Sequence, residues 1–183
     1  MSLVFACLTH FAAGYTVRAS PQRTFADQFM NLDLPPDQPH PSVDSESAFT
    51  LQTRAAERPA DPLVSVLLPA FNEQHNVIPM LETLHALFNG LGMRHELVVI
   101  DDGSRDATVE QVSSAMDRLP VVLVQLSRNF GKEAALSAGL DRVTGEITLL
   151  IDADFQHPLD AIPTMINLWK NGYDMVYGIR NRS

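Results

Sequence analysis

Five short apolar runs constrain this chain more than any other feature. They are VSVLL (64–68), ELVVI (96–100), VVLVQL (121–126), ITLLI (147–151) and, more weakly, DMVYG (174–178). All but the last are rich in β-branched residues and almost continuously apolar, which suits strands buried on both faces of a parallel sheet. Between them, apolar residues recur at helical spacing: Val77, Met80, Leu81, Leu84, Leu87 and Phe88, then Val109, Val112, Met116 and Leu119, then Ala135, Leu136, Leu140 and Val143. The spacing predicts helices over 73–90, 106–119 and 132–143. A fourth opens at Pro158 and runs through Ile162, Met165, Ile166 and Trp169 to Gly172. Proline suits a first helical turn, where its missing N–H costs nothing, but Pro163 calls for a late start or a kink. Strict alternation of strand and helix gives an α/β domain: a mostly parallel sheet, right-handed crossovers and helices on both faces.

The texture differs before Leu63. LDLPPDQPHPSVDSES is dense in Pro, Asp and Ser, and such a segment buries too little apolar surface to offset its ordering entropy. Residues 1–61 are therefore read as a largely disordered tail and 62–183 as the folded domain. Leu3–Val17 is apolar but broken by His10 and too short to span a bilayer. It also lacks the basic start of a signal peptide, so no transmembrane helix is expected. Thirteen basic against 22 acidic side chains give a net charge of -9, which argues against a nucleic-acid binder. Cys7 is the single cysteine; it can form no internal disulfide and no Cys-rich zinc site, and it suits a cytoplasmic setting.

The chemically interesting residues all follow strand ends: PAFNEQ (69–74), DDGSRD (101–106), SRNFGK (127–132) and DADFQHP (152–158). In open α/β sheets the ligand sits at the carboxyl ends of the strands, so the order of elements brings the four loops to one pocket. Asp152 and Asp154 would repel each other there. If strand geometry continues through Ala153 they point to one side, where a hard cation such as Mg²⁺ or Mn²⁺ would offset the repulsion. The other reading is that they cap the following helix. DDGS reads either as a turn with a helix cap or as a contact from Asp101 or Asp102 to a base or ribose. Glu73 reads as a first-turn carboxylate favoured by the helix dipole or as part of the site. Arg128 and Lys132, around a glycine at a helix start, suit an anion or plain solvent exposure.

From about Val64 to Arg182, the motifs VSVLLPAFNE, LVVIDDGSRDAT, LSRNFGKEAALSAGLDRVTGE, LLIDADFQHP and GYDMVYGIRNR resemble the family 2 glycosyltransferases of GT-A fold. Within these, the likeness is to the polyprenyl-phosphate group of dolichol-phosphate mannose synthase, bactoprenol glucosyltransferase and undecaprenyl-phosphate aminoarabinose transferase. The resemblance implies a nucleotide-sugar site of Pro69, Ala70, Asn72, Glu73, Asp101, Asp102, Lys132, Asp152, Ala153 and Asp154. Asp102 would contact the base and Lys132 would lie beside the donor. Asp152 and Asp154 would hold Mg²⁺ or Mn²⁺. Asp154, Gln156 and Arg180 become the candidate catalytic residues, with Arg180 and Arg182 near the phosphates of donor and acceptor.

The implied reaction moves a sugar, with inversion, from a UDP- or GDP-linked donor to a polyprenyl phosphate at the cytoplasmic face of a membrane. The family continues beyond the motif that ends here at Arg182, so the chain is expected to be C-terminally truncated, to keep a donor half-site and to transfer weakly by itself. A membrane or a partner subunit would supply the missing region. The rival readings are a family 2 enzyme acting on a polysaccharide or protein, and a non-catalytic nucleotide-binding module. A receiver domain wants an acidic pair after its first strand, where PAFNE stands. A dinucleotide fold wants a glycine fingerprint that is absent.

Overall fold

The computed structural model describes residues 15–20, 58–155 and 159–180, with the backbone alone at 15–20 and 178–180. β1 is Tyr15–Ser20, β2 Val64–Ala70, β3 His95–Asp101, β4 Val121–Gln125, β5 Ile147–Leu150 and β6 Met175–Arg180. The helices are α1 Val77–Gly90, α2 Thr108–Ala115, α3 Lys132–Leu140 and α4 Ile162–Lys170.

Four strands form a parallel sheet in the order β4-β3-β2-β5. Val64 lies opposite both His95 and Ile147, and Leu97 opposite Val121. Alternate residues of β2 serve opposite faces. Val64, Val66, Leu68 and Ala70 pack with α1, α2 and α4, whereas Leu67 joins Val98, Ile100 and Ala135 of α3. The helices thus cover both faces, as expected. On α1, Val77, Met80, Leu81, Leu84 and Phe88 are fully buried, each worth roughly 1.5–3 kcal/mol of apolar transfer. β4 is an edge strand, so Val122 is exposed, unlike the two-sided burial its sequence suggests.

One expectation needs correction. The fifth run does not join the parallel sheet: β6 pairs antiparallel with β1, Tyr15 opposite Arg180. Its Met175 and Val176 are buried against the clusters on the two faces, so apolar packing is satisfied while its hydrogen-bond ladder goes elsewhere. β1 in turn lies within the stretch read as a disordered tail. Most of that tail lies outside the described residues; Arg58 is one of those described. Its guanidinium donates to the carbonyls of Trp169 and, at 3.1 Å, Tyr173, pairs with Asp174 at 2.8 Å and stacks over the Trp169 ring at 4.6 Å. It thereby adds a cationic donor at the C-terminal end of α4, where the Trp169 carbonyl also accepts the Gly172 amide at 3.0 Å.

α3 starts at Lys132 as expected, whereas α1 starts later than the spacing predicts and α4 takes the late start that Pro163 called for. α1 begins at Val77 because Glu73 closes a turn first, its carbonyl accepting the amides of Asn76 and Val77. α4 begins at Ile162 after a short 3₁₀ turn, Leu159–Ala161, with Pro163 in its first turn. Pro158 lies outside the described residues.

Candidate functional site

The loops after β2 and β3 are stitched together. Asn72 adopts φ 57°, a left-handed conformation that asparagine tolerates better than most residues. Its amide donates to Ser104 Oγ at 2.9 Å and its Oδ1 accepts the Arg105 amide at 2.9 Å. The Glu73 amide donates to Thr108 Oγ1 at 2.8 Å, and Gln74 exchanges bonds with Asp106 and Ala107. Asp106 also accepts the Thr108 amide and hydroxyl. Burial alone would raise its pKa, but the hydroxyl and the Thr108, Gln74 and Asp106 amides outweigh that and hold it below the usual carboxylate value.

The loop after β4 is fastened by Asp102. This carboxylate is only 3% exposed; one oxygen accepts the Phe130 amide at 2.7 Å and the other the Gly131 amide at 2.9 Å. Two glycines make that approach feasible. A Cβ on Gly103 would lie 2.5 Å from the Arg128 carbonyl carbon, at φ +73°. Gly131 turns the chain into α3 at φ 94°, ψ 156°, a region essentially closed to other residues. Lys132, the first residue of α3, is thereby set where its Nζ lies 2.5 Å from Asp152 Oδ1.

The loop after β5 corrects one geometric step. Strand structure ends at Leu150, and residues 153 and 154 form a turn, so alternation along a strand is not what aligns the two aspartates. Phe155 follows at φ 58°, strained backbone for a bulky residue. Asp152 and Asp154 nonetheless line one pocket.

That pocket has a volume of about 400 Å³. Of the expected site residues, Pro69, Ala70, Glu73, Asp102, Lys132, Asp152, Ala153 and Asp154 line it. Asn72 and Asp101 do not. Asn72 bridges two loops, and buried Asp101 accepts the Ser104 amide at 3.2–3.3 Å. Gln156 and Arg182 lie outside the described residues, as does the side chain of Arg180. Sequence reasoning missed Phe71, Asn129, Gly131 and Ala135 in the wall. All four belong to or adjoin the motifs quoted above, so adjacency was the available signal.

The donor set suits a hard divalent cation: two carboxylates in one pocket wall, with oxygen the only ligand type they offer. Among the described residues no group of three or more His, Cys, Asp and Glu side chains converges. Mg²⁺ needs no such cage, since it binds through one or two carboxylates plus substrate phosphates.

The family model described as "Glycosyl transferase family 2" matches residues 65–183. The chain belongs to glycosyl transferase family 2. An undecaprenyl-phosphate 4-deoxy-4-formamido-L-arabinose transferase of Pseudomonas paraeruginosa is 39% identical over 121 residues, 65% of this chain and 36% of that protein. A putative glycosyltransferase of Bacillus subtilis, CsbB, is 40% identical over 121 residues, 66% of this chain and 37% of that one. Among solved structures, glucosyl-3-phosphoglycerate synthase from Mycobacterium tuberculosis in complex with UDP superposes with a TM-score of 0.50 at 25% identity, over 63% of this chain and 47% of that one. The mostly parallel α/β architecture is of the GT-A kind found in this family. The family 2 chain spans little more than a third of the length of the curated relatives it matches. No helix among the described residues is long and apolar enough to cross a membrane.

Proposed function

We propose that this family 2 domain binds a nucleotide diphosphate sugar in the pocket at the strand ends and serves its transfer, with inversion, to a polyprenyl phosphate. The observation that carries the reading is the pocket wall itself: Asp152 and Asp154 from the loop after β5, and Lys132 from the start of α3, line the space together with Pro69, Ala70, Glu73 and Asp102. Asp152 and Asp154 would hold Mg²⁺ or Mn²⁺, which when bound supplies charge stabilisation to the departing diphosphate. Lys132 supplies a positive charge beside the same groups. Glu73 is steadied by Asn76 Nδ2 at 2.8 Å. A phosphate monoester has a second pKa near ~6 and is largely ionised at neutral pH, so the acceptor needs no strong general base. Asp154, Gln156 and Arg180 remain the proposed catalytic residues.

Two observations support a lipid phosphate as acceptor. The Pseudomonas relative is named for an undecaprenyl-phosphate substrate. Exposed Phe71, Phe130 and Phe155 each sit in or beside the pocket loops, and apolar rings at a site's rim suit an apolar acceptor. The structural neighbour named for 3-phosphoglycerate favours a second reading, a small soluble phosphate-bearing acceptor. Offering labelled UDP- and GDP-sugars with extracted polyprenyl phosphate or with soluble phosphate esters separates the two. Label in the lipid fraction is expected; label only in soluble esters would remove the lipid reading.

A further inference from the structure

Among the described residues, Lys132 is the only basic one lining the pocket, against Glu73, Asp102, Asp152 and Asp154. Its ammonium does not stand apart but rests 2.5 Å from Asp152 Oδ1, one of the two carboxylates assigned above to a divalent cation. The placement is built. Buried Asp102 accepts the amides of the two residues immediately before Lys132, and Gly131 supplies the turn that starts α3 there. The pair is open to water on the lysine side, which is 49% exposed, and more covered at Asp152, 24% exposed. A dication and an ammonium at one carboxylate edge repel each other, so both cannot hold that position.

We propose that Lys132 is a resident counter-ion for Asp152, displaced when a divalent cation binds and then turned to the diphosphate that arrives with it. The proposal rests on the nucleotide-sugar reading above. It makes Lys132 a residue with opposite effects on two ligands. Without nucleotide it competes with the metal; with metal in place it attracts the nucleotide. A merely structural lysine would move both affinities in the same direction.

The test uses the full chain at low ionic strength, where charge effects are least screened. Mn²⁺ alone is titrated against wild type, Lys132→Met and Lys132→Gln by the electron-spin resonance of free Mn²⁺. UDP and GDP are then titrated by calorimetry at saturating Mn²⁺. A half-exposed ion pair is worth a factor of about 5 or less, and removal of the lysine's repulsion adds to it, so both variants are expected to bind Mn²⁺ about 5- to 10-fold more tightly. Both should bind the nucleotide about 10-fold more weakly, the scale of one lost charge-assisted contact. Lys132→Arg keeps the charge and should stay near wild type for Mn²⁺. Equal or weaker Mn²⁺ binding by both neutral variants overturns the counter-ion role, while the donor-site reading stands if wild type still binds metal and nucleotide and Asp152→Asn does not. Absence of Mn²⁺ binding in every protein without nucleotide overturns the counter-ion role, and failure of UDP and GDP to bind with Mn²⁺ present overturns the donor-site reading as well.

Discussion

Replacing Asp102 by Asn tests the most consequential fastening in the pocket. In the native fold each carboxylate oxygen accepts one backbone amide, Phe130 at 2.7 Å and Gly131 at 2.9 Å, and the side chain is 3% exposed. A hydrogen bond to a charged group is worth roughly 1.5–3 kcal/mol. Asparagine keeps one acceptor, now neutral, which loses about 1 kcal/mol. Its NH₂ opposes the second amide, which loses that bond and sets donor against donor. The sum is about 3–5 kcal/mol, reduced to about 2–4 kcal/mol because Phe130 is exposed and water can reach its amide. That is a large part of the 5–15 kcal/mol margin typical of a domain. Urea unfolding followed by circular dichroism reads the stability, and nucleotide titration reads the site. Both should suffer, since the same bonds place Lys132. A variant within ~0.5 kcal/mol of wild type with unchanged nucleotide affinity would refute the assignment of Asp102 as the loop's fastening.

Gly103→Ala should cost at least ~2 kcal/mol, because its Cβ would meet the Arg128 and Asn129 backbone within 2.7 Å at a positive φ; a thermal melt checks it. Arg58→Ala should lose about 1.5–3 kcal/mol by leaving the Trp169 and Tyr173 carbonyls and the Trp169 ring without their cation, and the unfolding midpoint reads this directly. His95 titrates below its ordinary 6.5, chiefly through burial and further through His85, against a raising bond to the Met93 carbonyl. One set of neutral tautomers serves the chain from Asn89 to His85 to His95 to Met93. A depressed histidine stabilises the fold fully above the unfolded pKa, so stability should fall as pH drops below about 6.5, and His95→Gln should flatten that slope in urea titrations from pH 5 to 8.

The strands and the pocket edge were legible because buried parallel strands leave continuous apolar runs and ligand loops follow their carboxyl ends. Asp102, Lys132, Asp152 and Asp154 could be placed together from strand order alone. What sequence could not give was the direction of each carboxylate. Asp101 and Asp102 are neighbours of one type, yet one turns back to Ser104 and the other across to the next loop, a choice made by tertiary packing. Asn72 likewise looks like a ligand contact and acts as a bridge to Arg105. The end of β5 at Leu150 was hidden because Ile151 is as apolar as the strand itself and still donates its amide to Leu67. The pairing of β6 with β1 joins segments about 160 residues apart in sequence, which no local pattern encodes.

The central claim is a metal-dependent nucleotide-sugar site at the strand ends. Calorimetric titration of UDP and GDP, each with Mn²⁺ and with chelator, on wild type and Asp152→Asn, tests it most directly. One nucleotide is expected to bind with Mn²⁺, chelator to abolish the heat and Asp152→Asn not to bind. Failure of both nucleotides in the presence of Mn²⁺, or equal binding by Asp152→Asn, would contradict it.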